Sequence, residues 1–116
     1  KREIFSFYKE HLSELEGIGF MPNNEWDKPN YWLSSIILNG KIRPIDVMVA
    51  LEQKNIESRP VWKPMHMQPF FEKYNFVGEG IAEKLFKNGL CLPSDTKMTL
   101  DDLRRIVRII RQLWVQ

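Results

Sequence analysis

The sequence predicts an α+β fold in which a small antiparallel sheet is covered by helices. Three observations lead there. Both ends of the chain repeat apolar residues at helical spacing. The stretches between them carry short runs of aromatic and β-branched residues bounded by glycine and proline. Prolines at 60, 64 and 69 forbid a long regular element in between. At 116 residues the chain suffices for one hydrophobic core, and a single domain over 1–116 is expected.

Element by element, Ile4, Tyr8, Leu12 and Leu15 fall on one side of a first helix, which Gly17 and Gly19 are expected to end. A short extended piece follows, then a turn-rich loop (Pro22, Asn23, Asn24, Pro29, Asn30), then a strand over Tyr31 to Leu38 closed by Asn39 and Gly40. Pro44 suits the first turn of a second helix whose buried stripe is Val47, Met48 and Leu51. The proline-rich stretch "SRPVWKPMHMQPF" then reads as a short edge strand running into a turn. Gly78 and Gly80 precede a third helix carrying Ile81, Ala82, Leu85 and Phe86, with Gly89 expected as its left-handed cap. "LCLP" makes a short buried strand stopped by Pro93. The last helix opens on a capping box, Thr99 with Asp102, and Leu103, Ile106, Val107, Ile110, Leu113 and Trp114 trace its one apolar side, leaving Arg104, Arg105, Arg108 and Arg111 mostly on its wet side.

Composition excludes several classes of function. With 43% apolar and 28% charged residues, and no apolar run near the roughly 20 residues a membrane helix needs, no membrane partner is expected. A formal charge of +2 is too weak to argue for nucleic acid, and Asp101 and Asp102 interrupt the basic side of the last helix. Cys91 is the only cysteine, which rules out an internal disulfide and favours a reducing, cytoplasmic setting. The chain opens on a charged amphipathic segment rather than a secretory leader, and it lacks an initiator Met, as a piece of a longer protein would.

Few residues offer chemistry. His11 and His66 stand far apart, without the HExxH or Cys/His spacing of a zinc site, and no phosphate-binding loop or GxSxG motif is present. Arg59, Trp62, Lys63 and His66 differ from the rest because proline pre-sets the backbone around them, lowering the entropy lost in holding long polar side chains in place. Arg59 can fork onto a phosphate or carboxylate, Lys63 can add a point charge, His66 can donate a hydrogen bond and Trp62 can stack on a flat surface. The same residues equally suit a packing role, with Trp62 in the core, His66 satisfied in a turn and the two cations solvated. Local chemistry leaves both open.

Taken in order, "ESRPVWKPMHMQPFF" (Glu57 to Phe71), "AEKLFKNGLCLPS" (Ala82 to Ser94) and a terminal helix opening "TLDDLRRIV" resemble the carboxy-terminal end of the DegT/StrS family of pyridoxal-phosphate-dependent sugar aminotransferases. "KREIFSFYKEHL" is similar to the helix with which that family leaves its cofactor domain, so the resemblance covers essentially the whole chain. It implies the smaller, carboxy-terminal domain of an aspartate-aminotransferase-type (fold type I) enzyme. The parent is then expected to be a cytoplasmic homodimer that moves an amino group from glutamate to a nucleotide-linked keto sugar. The cofactor lysine, its acidic partner and the phosphate cradle lie upstream in that family, so pyridoxal phosphate is expected in the parent and not on this chain. No catalytic, cofactor or metal residue is assigned here. The resemblance places Trp62, Lys63 and His66, with Arg59 as a further member, along the substrate cleft. One departure is Asp95, where the family often has glycine after "LPS". The loop from Asn23 to Asp27 takes no role. The competing expectation is a free-standing module that uses the same rim to hold a nucleotide sugar or acidic partner without catalysis.

Overall fold

A computed structural model describes residues 1–115. Four helices, α1 (Arg2–Leu12), α2 (Pro44–Glu52), α3 (Ile81–Asn88) and α4 (Leu100–Val115), accompany four strands, β1 (Ile18–Phe20), β2 (Ser34–Leu38), β3 (Arg59–Pro60) and β4 (Gly89–Leu92). The sheet runs β1-β2-β4-β3, every neighbouring pair antiparallel, with Ile36 opposite Leu90 and Arg59 opposite Cys91. The predicted small antiparallel sheet with helices packed on it is the architecture observed.

One face of the sheet holds the core. On β2, Ser34, Ile36 and Leu38 are buried while Ser35 and Ile37 are half-buried, the alternation expected when one face packs tightly. Ile36, Leu38, Leu90 and Leu92 meet Tyr8 and Leu12 of α1, Val47 and Leu51 of α2, and Leu103, Ile106, Val107 and Ile110 of α4. Each such aliphatic side chain contributes roughly 1.5–3 kcal/mol on burial. The Tyr8 hydroxyl, inside this core, donates to the Pro93 carbonyl at 2.6 Å, and burial pushes its phenol well above the ordinary tyrosine value.

Pro44 opens α2 as expected, and the Arg43 N–H donates to Asp46 at 2.8 Å. The box at α4 is reciprocal. The Thr99 N–H donates to the Asp102 carboxylate at 2.8 Å, and the Asp102 N–H donates to the Thr99 hydroxyl at 3.2 Å. Of the α4 arginines, Arg105 donates to the Lys54 carbonyl and Arg111 to the His11 carbonyl, so part of the basic side ties the helix to its neighbours.

Several local expectations are corrected. α1 ends at Leu12, before Leu15, and Gly19 lies within β1. Gly17 adopts φ +85 where the chain turns into β1, and a Cβ there would stand 2.7 Å from the Gly40 nitrogen, so this glycine serves a close backbone crossing and not a helix cap. β2 begins at Ser34 rather than Tyr31, because Tyr31 takes φ 49 and stacks on Phe5 at 3.8 Å. Gly89 is extended (φ −91, ψ 151), not left-handed. A Cβ at Gly89 would lie 2.4 Å from the Leu85 carbonyl oxygen and 3.0 Å from both Val61 methyls, so crowding decides that residue. α3 forms where expected, and among its apolar residues Ile81 is 65% and Leu85 43% exposed.

Candidate functional site

The proline-rich stretch enters the sheet as β3, its outermost strand, where Pro60 opposite Leu90 is tolerated because an edge needs fewer backbone donors. Beyond Pro60 the chain leaves the sheet and passes through two single turns of 3₁₀ helix, Met65–Met67 and Pro69–Phe71. The excursion therefore hangs over the sheet edge, and its side chains face two grooves.

The first groove, about 540 Å³, is lined by Trp32, Ser58, Arg59, Trp62, Ser94 and neighbouring residues. Trp32 and Trp62 stand across it with ring centroids 5.9 Å apart, tilted by 33°. Each leaves more than half its surface in solvent, 62% and 68% respectively, so both keep a free aromatic face for a planar ligand. Arg59 pairs with Glu57 at 2.5 Å, but both side chains are largely exposed and such a pair exchanges easily for an anion. The Ser58 hydroxyl is buried without a partner at the same wall.

The second groove, about 590 Å³ and mostly apolar, is bordered by Phe20, Ile37, Val61, Trp62, Lys63 and Leu85. Trp62 is the wall shared by both grooves. Lys63 borders only the second, where no carboxylate is present to neutralise it.

His66 borders neither groove. Its Nε2 lies 2.5 Å from the Glu83 carboxylate, and its ring stacks on Phe76 with centroids 3.8 Å apart. Hydrogen bonding from its own backbone N–H, and then from His66, holds the Glu83 carboxyl below the ordinary carboxylate range against the opposing effect of partial burial.

The fold thus brings Arg59 together with Trp62, and Trp62 with Lys63, while His66 is set apart by its pairing with α3. Glu83 escapes sequence reasoning, and Trp32, whose aromatic ring could suggest sugar stacking, is set aside there because aromatics at strand spacing usually pack in a core or interface. Trp32 lies in a segment that reads as strand, and Glu83 lies in the quoted "AEKLF" block without any local sign that it meets a residue 17 positions earlier. Among the described residues no group of three or more His, Cys, Asp or Glu could hold a metal ion, and no helix is long and apolar enough to cross a membrane.

Residues 1–111 match the DegT/DnrJ/EryC1/StrS aminotransferase family. The chain is 38% identical over 98% of its length to EpsN of Bacillus subtilis (strain 168), provisionally named a pyridoxal phosphate-dependent aminotransferase, and covers 30% of that protein. It is 30% identical to the GDP-perosamine synthase of Vibrio cholerae, over 96% of this chain and 31% of the relative. Among solved structures, DesI in the presence of its TDP-sugar product superposes with a TM-score of 0.83 at 22% identity, covering 99% of this chain and 30% of DesI. An aminotransferase of the family from Brucella abortus gives 0.84 at 20% identity, over 99% and 30% of the two chains. The chain spans about 30% of the length of the curated relatives it matches.

Proposed function

The chain belongs to the DegT/DnrJ/EryC1/StrS aminotransferase family, and on that premise we propose that it is the smaller domain of a pyridoxal-phosphate-dependent sugar aminotransferase, contributing one wall of the substrate cleft. The parent enzyme moves an amino group from glutamate to a nucleotide-linked keto sugar, as a cytoplasmic homodimer. The observation that carries this reading is the match over residues 1–111 by a chain that spans only about 30% of its relatives.

The residues present determine which part of the chemistry belongs here. Pyridoxal phosphate needs a lysine for its Schiff base, an acid at the pyridinium nitrogen and a cradle for its phosphate. Among the described residues every lysine is exposed, and Lys63 lines its groove with no acid beside it. These side chains do not fit the cofactor, and we assign its seat to the remainder of the parent. What this chain supplies is grip. Trp62 shapes the cleft and offers a stacking face, Lys63 supplies an unneutralised positive charge for a phosphate, Arg59 supplies a second that must leave Glu57, and His66 contacts a polar oxygen of the substrate.

The test uses the full-length holoenzyme with glutamate and a panel of keto-sugar nucleotides. Trp62→Ala and Lys63→Ala are each expected to raise KM for the nucleotide sugar about tenfold, the size of one lost stacking or charge-assisted contact, while KM for glutamate stays unchanged. If both variants keep the wild-type KM and kcat for the sugar, this wall does not touch substrate. If the wild type aminates none of the panel, the sugar-aminotransferase reading itself fails.

A further inference from the structure

His66 is the member of the proline-framed group whose two ring nitrogens are told apart by the fold. Nε2 lies 2.5 Å from Glu83 Oε1. An ionised carboxylate only accepts, so Nε2 carries the proton. Nδ1 makes no hydrogen bond among the described residues, and it is not among the buried unpaired side-chain atoms there, which are Ser34 Oγ and Ser58 Oγ. It therefore keeps contact with solvent. The ring does not readily exchange the two atoms, because it lies flat on Phe76 at an interplanar angle of 11° and its side chain is only 19% exposed. Glu83 is itself anchored in the first turn of α3, where the helix dipole favours a carboxylate.

We propose, resting on the nucleotide-sugar reading above, that Glu83 is a positioning residue that turns His66 into an acceptor for a hydroxyl of the sugar. By accepting the hydrogen bond from Nε2–H, Glu83 leaves the ring only its Nδ1 lone pair to offer a ligand. A phosphate oxygen also accepts and cannot pair with that lone pair, whereas a sugar hydroxyl donates. The donor role that the residue type suggests is thereby reversed, and phosphate recognition falls to Lys63 and Arg59.

Two measurements on the full-length holoenzyme decide this. With ¹⁵N-labelled histidine, the His66 ring, identified by its loss in His66→Gln, is expected to carry its proton at Nε2 and none at Nδ1. Glu83→Gln keeps an acceptor and is expected to keep that tautomer, while Glu83→Ala is expected to lose it. Calorimetric titration then compares UDP, GDP and dTDP with UDP-glucose, GDP-mannose and dTDP-glucose. Glu83→Ala is expected to weaken the hexose conjugate that binds by about tenfold, the size of one lost hydrogen bond, and to leave its parent diphosphate within about twofold, with Glu83→Gln restoring most of the loss. Equal weakening of diphosphate and conjugate overturns the proposal, as does a doubly protonated ring or a tautomer indifferent to Glu83→Ala. A wild type that binds none of the conjugates removes the nucleotide-sugar reading and the proposal with it. The ring spectra tell that failure apart from a failure of Glu83 to set His66.

Discussion

Tyr8 ties α1 to the loop after β4 through a single oxygen. The side chain is fully buried and its hydroxyl donates to the Pro93 carbonyl at 2.6 Å. Replacing it with phenylalanine keeps the ring and strands the carbonyl, so Tyr8→Phe is expected to lower stability by about 1–2 kcal/mol. Urea unfolding of the variant checks this, and an unchanged midpoint would mean that water replaces the hydroxyl. The residue scale is also where sequence reasoning and structure part most often. Gly89 sits at a helix end, where a left-handed cap is the local expectation, yet it is extended because it opens β4 opposite Ile37, and the Leu85 carbonyl and Val61 leave no room there for a Cβ. Trp32 and Trp62 are 30 positions apart, and nothing in either neighbourhood announces that their rings stand 5.9 Å from each other.

At the scale of the element, α4 shows how much is written locally. Its apolar positions recur at helical spacing, and its first turn is closed by a box that Thr99 and Asp102 form within four residues. Hydrogen bonding from the Thr99 backbone and hydroxyl holds the Asp102 carboxyl below the ordinary carboxylate range. A carboxyl whose folded value is depressed adds stability above its unfolded value, near 4, and that stability is lost as the pH falls through the folded value. Lowering the pH from neutral into the acid range is therefore expected to cost the wild type more Tm than it costs Asp102→Asn, so that the two melting curves converge in acid. Parallel curves would show that the box does not carry the pH dependence. α3 is the counterexample. It has the same periodic signal, but Ile81 and Leu85 remain open to solvent, because a stripe of apolar residues states that a face wants cover without naming the element that covers it.

Across the whole molecule the division of labour follows the two faces of one sheet. α1, α2 and α4 close the core over Ile36, Leu38, Leu90 and Leu92, while Val61 and Leu85 approach the reverse face around Gly89, beside the grooves. The wall that bears Trp62 and Lys63 thus stands on a scaffold whose core is complete without it. In the proposed parent the cofactor is held elsewhere, so the 116-residue chain by itself is expected neither to transaminate nor to retain pyridoxal phosphate on one lysine. Mixing the two, adding borohydride and mapping the modified lysines checks this, and stoichiometric trapping at a single position would defeat it.

The sequence by itself determined what depends on near neighbours. The helical periodicities, the Pro44 and Thr99 starts, the edge placement of the proline-rich strand and the ordered blocks that mark the family all lie within short windows, where spacing and backbone chemistry act directly. The tertiary structure alone decided what depends on closing long loops. Only the folded sheet sets Trp32 across from Trp62, draws Gly89 out of a cap into pairing with Ile37 and delivers Glu83 to His66. Each of those contacts joins segments that do not influence one another until the core brings them together.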